Sequence, residues 1–111
     1  MKKIMQILVI LLIPFSAYSL ELSKENLQGE WLIVKVGDMD TKDMGVGEDI
    51  WEFKGDQWIV KSSGVSMRPE SFSVKGQKID FGSYSVEIID FSESKMTANT
   101  LGIIQVLEKI K

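Results

Sequence analysis

Few side chains in this sequence can do covalent or metal chemistry, and most of those lie in one acidic loop. Asp38, Asp40 and Asp49 stand at positions 1, 3 and 12 of an EF-hand-like count. Lys42 and Asp43 then occupy positions 5 and 6, where calcium needs an oxygen ligand and a glycine. The mismatch breaks the motif and leaves a solvated loop. Met39, Met44, Met67 and Met96 offer thioether sulfur, a soft ligand suited to copper. They are spread along the chain with no histidine beside them, so filling gaps is the better reading. Glu52, Asp80, Glu87 and Asp90 supply carboxylates for acid–base work, but each falls at an outward position, where solvation is the default.

Absence is the stronger signal. The 111 residues contain no histidine and no cysteine. The usual zinc sites, the Ser-His-Asp and Cys-His nucleophile systems and haem ligation through His or Cys are therefore out of reach. The expectation is a protein that is not an enzyme, with no catalytic residue, no metal and no cofactor.

The first nineteen residues read as an export signal. Lys2 and Lys3 form the positive region, Ile7 to Phe15 the apolar region, and Ala17-Tyr18-Ser19 a cleavage site before Leu20. The apolar run is broken by Pro14 and is shorter than the ~20 residues of a membrane span. Without a cysteine behind it, a lipid anchor is excluded. The expected product is one domain over residues 20–111, periplasmic or secreted, with no membrane span and monomeric. It carries eleven basic residues against sixteen acidic ones, a net charge of −5. That balance argues against nucleic acid and anionic lipid as partners. It suits solubility, and also a basic envelope protein or a cation.

Turn residues punctuate residues 20–111 every eight to twelve positions, the rhythm of an all-β sandwich or barrel. The runs are 30–36, 50–53, 57–61, 71–75, 78–81, 84–91, 95–101 and 103–110, which makes about eight short strands. Alternation is clean at Phe72/Val74 and Ile79/Phe81 and good at Trp51/Phe53. In 84–91 the apolar register changes face between Ile88 and Ile89, predicting a β-bulge or a barrel corner. The first run is apolar on both faces. The last fits a strand or one face of a helix, with β-branched content favouring the strand.

Ahead of the first run stands Leu27-Gln28-Gly29-Glu30-Trp31, an L-x-G-x-W motif. It resembles the first-strand start of the calycins, the lipocalins among them. The hairpin Trp51-Glu52-Phe53 and the segment Ser71 to Asp80 make the chain similar to compact bacterial lipocalin-like domains across most of 27–110. The resemblance implies a single antiparallel up-and-down barrel. Trp31 would cross its closed end, with Gly29 letting the chain pass close beneath and Lys109 the nearest basic residue to cover the indole. It further implies a small apolar or amphipathic ligand at the open end, with Trp51, Trp58, Phe72, Phe81 and Met96 as pocket residues.

The predicted inward set adds Ile33, Phe53, Val60, Val74, Ile79, Val86, Ala98, Ile104 and Val106 to these and to Trp31. So many bulky groups predict a largely packed interior with at most a shallow pocket near the mouth. The loop 37–49 would lie over that mouth as a lid. The competing reading is a protein-interaction or inhibitor module of the cell envelope, with the barrel as scaffold and the loops at work.

Overall fold

A computed structural model describes residues 20–45 and 47–111. The proposed export signal, residues 1–19, lies outside the described residues. The chain enters through one helical turn, α1 (Lys24–Leu27), capped by the Ser23 hydroxyl, which accepts from the Asn26 amide at 3.1 Å. Eleven antiparallel strands follow: β1 (Gly29–Val36), β2 (Met39–Asp40), β3 (Asp49–Lys54), β4 (Gln57–Ser62), β5 (Val65–Ser66), β6 (Glu70–Ser71), β7 (Ser73–Lys75), β8 (Lys78–Asp80), β9 (Ser85–Phe91), β10 (Lys95–Thr100) and β11 (Ile103–Lys109).

They form one sheet in the order β5-β4-β3-β1-β11-β10-β9-β8-β7, curled into a half-barrel. β2 pairs with the far end of β1, and β6 with the start of β4. No helix among the described residues is long and apolar enough to cross a membrane.

Neighbouring strands being antiparallel, β1, β4 and β10 run the same way. Their C-terminal connections, 37–48, 63–64 and 101–102, therefore leave the sheet at one end, called the rim end below. α1, the turns 55–56 and 92–94 and the C-terminus gather at the other. The concave face holds the core: Trp31, Ile33, Trp51, Phe53, Phe72, Ile79, Val86, Ile88, Phe91, Met96, Ala98 and Leu107 are all buried, with Leu22 and Leu27 closing the end away from the rim.

That closed end is built around Trp31. Its indole Nε1 donates to the Leu27 carbonyl at 2.9 Å, tying α1 to β1. Lys109, its cross-strand partner, sets its ammonium 5.3 Å from the ring centroid. Trp31 is fully buried, and Phe91 packs on it at 5.7 Å. Gly29 has φ +121°, and the C-terminus crosses against it. The Glu30 amide donates to the Lys111 carbonyl at 3.0 Å, and the Ile110 amide to the Glu30 carbonyl at 2.9 Å.

Several sequence expectations change here. The strand count rises from about eight to eleven, because two-residue strands form inside segments read as loops and because the 71–75 run starts a residue earlier and breaks at Phe72. Phe72 turns its side chain into the core while its amide donates to the Asp56 carbonyl at 3.0 Å.

The last run is a strand, but its inward residues are not Ile104 and Val106. The β10–β11 register pairs Met96 with Leu107 and Ala98 with Gln105, so Leu107 is buried and Ile104 and Val106 face outward. The opposite register would turn the Glu108 carboxylate into the core, at a cost that only a buried partner could offset. The predicted bulge is present: β9 slips between Ile88 and Asp90 against β10 and leaves Ile89 exposed. A second bulge in β1, between Ile33 and Lys35, puts Val34 and Lys35 together on the outward face and returns Val36 to the core.

Candidate functional site

The five residues expected to line a pocket are brought together inside the sheet, as packing partners. Trp51 meets Trp58 edge-on at 5.7 Å, and Trp58 meets Phe81 at 4.5 Å. Phe72 joins through Phe53 at 5.1 Å, and Phe53 meets Trp51 at 6.5 Å. Met96 is fully buried against Leu107 and Phe91 on the neighbouring strands. Edge-to-face contacts at these separations stabilise by about 0.5–1.5 kcal/mol each beyond the area they bury. The array is therefore a core first.

Its margin is different. Trp58, Phe81 and Tyr84 are only half-buried, and Phe81 and Tyr84 stack at 4.9 Å. The Tyr84 hydroxyl donates to Glu70 Oε2 at 3.2 Å. Backbone bonds join β7 to β8 only along 73–75. Beyond them these side chains span between the 65–70 segment and the 81–84 turn. Trp58 Nε1 is buried there without a hydrogen-bond partner.

Burial, and secondarily the Glu70 carboxylate beside it, hold the Tyr84 hydroxyl above its ordinary value of 10.0. A raised folded-state value means the native state resists losing this proton more than the unfolded chain does. The contribution is complete below about pH 10 and is lost as pH rises through the folded-state value. Phenolate absorbance in the wild type, less that of Tyr84→Phe, isolates this group. Its midpoint is expected above 10 and should fall in Glu70→Gln. A Tyr84 midpoint unmoved by the Glu70 change would remove the carboxylate from the account.

The concave site that sequence reasoning missed lies on the outward face. A groove of about 580 Å³ runs between β1, β11 and the loop after β1. Leu32, Val34 and Val106 make its apolar floor. Lys35, Lys42 and Lys95 stand around it, with Asp40, Glu48 and Glu108.

The loop is folded onto this face. Asp40 pairs with Lys35 in the β1–β2 ladder, and the Thr41 hydroxyl donates to the Ile33 carbonyl at 3.0 Å. A 3-10 turn at Thr41–Asp43 follows, and the Ser63 amide donates to the Glu48 carbonyl at 2.8 Å, fixing the loop's far end. Gly47 presses against the Ser63 side chain, where no Cβ would fit. The residues expected to cover the barrel mouth thus wall an outer groove.

None of Lys35, Lys42 and Lys95 is in an ion pair among the described residues, whereas Lys61 bridges Glu30 at 3.6 Å and Glu52 at 3.5 Å on the same face. Nor do three or more carboxylates converge as a metal site among the described residues. One signal for the groove was in the sequence: the runs holding Leu32, Val34 and Val106 are apolar on both faces, more than one core face can take. Comparison with known proteins found no matching protein-family model, no matching curated protein and no matching solved structure.

Proposed function

We propose that this protein is an exported, lipocalin-like binding module that holds a small amphipathic molecule in the groove between β1, β11 and the 40–48 loop. The observation that carries the reading is the groove itself. Its volume of about 580 Å³ falls within the ~300–1,000 Å³ of small-molecule sites. Its floor accepts an alkyl or ring body, and Lys35, Lys42 and Lys95 accept an anionic head. Neither catalysis nor a cofactor is part of the proposal.

The lipocalin-like reading also rests on how residues 70–75 link the two sides of the curled sheet. Residues 70–75 act as one strand bent at Phe72, its first part paired with β4 and its second with β8. Counted so, the half-barrel would complete an up-and-down ring of eight, β1, β3, β4, this bent strand, β8, β9, β10 and β11, which is the closure we propose. The Trp31 indole under Lys109, with Gly29 beneath the crossing C-terminus, fits the closed end that the L-x-G-x-W resemblance implies.

A second reading has its own support. The unpartnered Trp58 Nε1, at the half-buried margin with Phe81 and Tyr84, would suit a ligand carrying a hydrogen-bond acceptor into the aromatic array.

Dodecanoate titrated into the protein distinguishes the two. The groove reading expects amide shifts at Leu32, Val34 and Val106, little change in tryptophan emission, and affinity lowered about tenfold by Val106→Glu. Shifts centred on Trp58 and Phe81, with altered emission, would favour the inner site. No response up to about 1 mM would sink both.

A further inference from the structure

Large apolar side chains are exposed at eight described positions, and five of them lie at the rim end: Met39, Met44, Val65, Leu101 and Ile103. Scattered singly, such residues need no explanation, but a shared end does. Leu101 is the sharpest case. It sits at the tip of the β10–β11 hairpin with φ +53°, followed by Gly102 at φ +91°. The Gly102 amide donates to Asn99 Oδ1 at 2.8 Å. Two successive positive φ angles make this a turn that favours Asn, Asp or Gly, and leucine is costly there. Leu101 is also 85 % exposed, so no contact within the fold offsets either the backbone strain or the hydration of its side chain.

The methionines add to this. Two of the four in residues 20–111, Met39 and Met44, lie at the rim, and an unbranched, polarizable side chain adapts to varied apolar partners. The surroundings are acidic: Asp38 and Asp43 are exposed on the first loop outside the groove, whose own wall sets Asp40 and Glu48 among Lys35, Lys42 and Lys95. The loops are tied together by the Gly37 amide donating to Ile104 at 2.8 Å and by the Ser63–Glu48 bond, so the surface is preformed.

We propose that this rim docks a cationic, amphipathic segment of a partner protein. Apolar side chains of the partner would cover Leu101, Ile103 and the two rim methionines, and its basic groups would face Asp38 and Asp43. The charge selects this occupant over two others. An anionic membrane and a second copy of this chain would each bring negative charge against negative charge.

A labelled, helix-forming Leu/Lys peptide and its Leu/Glu counterpart test the surface by fluorescence anisotropy on the purified protein. The Leu/Lys peptide is expected to bind at least about tenfold more tightly, and more weakly as salt rises. Leu101→Asn and Asp38→Asn/Asp43→Asn should each weaken it about tenfold. Glu25→Gln/Glu93→Gln, equal in charge but on α1 and the 92–94 turn at the opposite end, should not. Asparagine suits the turn, so Leu101→Asn should melt above the wild type, which separates lost binding from lost fold.

Equal affinity for the two peptides, or indifference to Leu101→Asn, overturns the proposal. So does binding to phosphatidylcholine vesicles in place of the peptide, or dimerisation that Leu101→Asn abolishes. None of these outcomes bears on the groove, whose test reads Leu32, Val34 and Val106.

Discussion

Trp31→Ala is expected to cost about 3–5 kcal/mol, a large fraction of the stability of a domain for which ~5–15 kcal/mol is ordinary. Three separate losses add up at this position. The fully buried indole packs on Phe91, with Trp51 and Lys109 on the flanking strands, so truncation leaves a cavity that these neighbours cannot all collapse into. Its Nε1 donor satisfies the Leu27 carbonyl, which would then be buried without a partner. Its face carries the Lys109 ammonium, which would lie over an empty site.

Conservative variants apportion the loss. Trp31→Phe keeps a ring and removes the donor, at about 1–3 kcal/mol. Lys109→Met keeps the apolar stem and removes the cation, at about 0.5–1 kcal/mol. Guanidinium melts of the three variants check the ordering. If Trp31→Phe proves as damaging as alanine, the Leu27 bond governs the closed end. If Trp31→Ala costs under about 1 kcal/mol, the closed end is not a structural centre at all.

Much of this architecture was legible because its inward residues alternate with polar ones. Phe72 and Val74, Ile79 and Phe81, and the Trp51–Phe53 hairpin all point inward as their neighbours Ser, Lys, Asp and Glu suggested. The doublet Ile88-Ile89 gave away its bulge, since two adjacent isoleucines cannot share one face of a regular strand. What stayed hidden is physically distinct. β2, β5 and β6 are two residues long with every side chain exposed, so no periodicity marks them.

β11 was misregistered because Ile103, Ile104, Val106 and Leu107 are apolar on both faces. The deciding fact was the charge of Glu108, which must stay outside. The same ambiguity concealed the groove. Leu32 and Val34 on β1 and Val106 on β11 looked like candidates for a core with room for only half of them. The surplus makes the outer floor. A strand apolar on both faces in a curled sheet is thus a sign that something covers its outside, here the 40–48 loop.

Gly29→Ala is expected to be the most damaging single-methyl change in the chain, and the way it fails identifies its cause. Two effects are superposed. The first is conformational: φ +121° is a region L-residues rarely adopt, at about 1–3 kcal/mol. The second is contact. An added Cβ would overlap the Lys111 carbonyl oxygen and come within 2.9 Å of Lys109 Cε. Relief requires the C-terminus to swing away, breaking the Glu30–Lys111 and Ile110–Glu30 bonds and lifting Lys109 from Trp31.

Gly37→Ala separates the two effects. Gly37 also has positive φ, at +59°, but an added Cβ there would meet nothing within 4 Å, so it should lose only about 1 kcal/mol. Deleting Lys111 sharpens the test. In the wild type it removes the acceptor for the Glu30 amide and destabilises by about 0.5–1.5 kcal/mol. In Gly29→Ala it removes the colliding carbonyl and should restore stability. That reversal of sign in a double-mutant cycle is the expected result. Simple additivity would show that backbone conformation alone explains glycine here, and that the close crossing of the C-terminus contributes nothing.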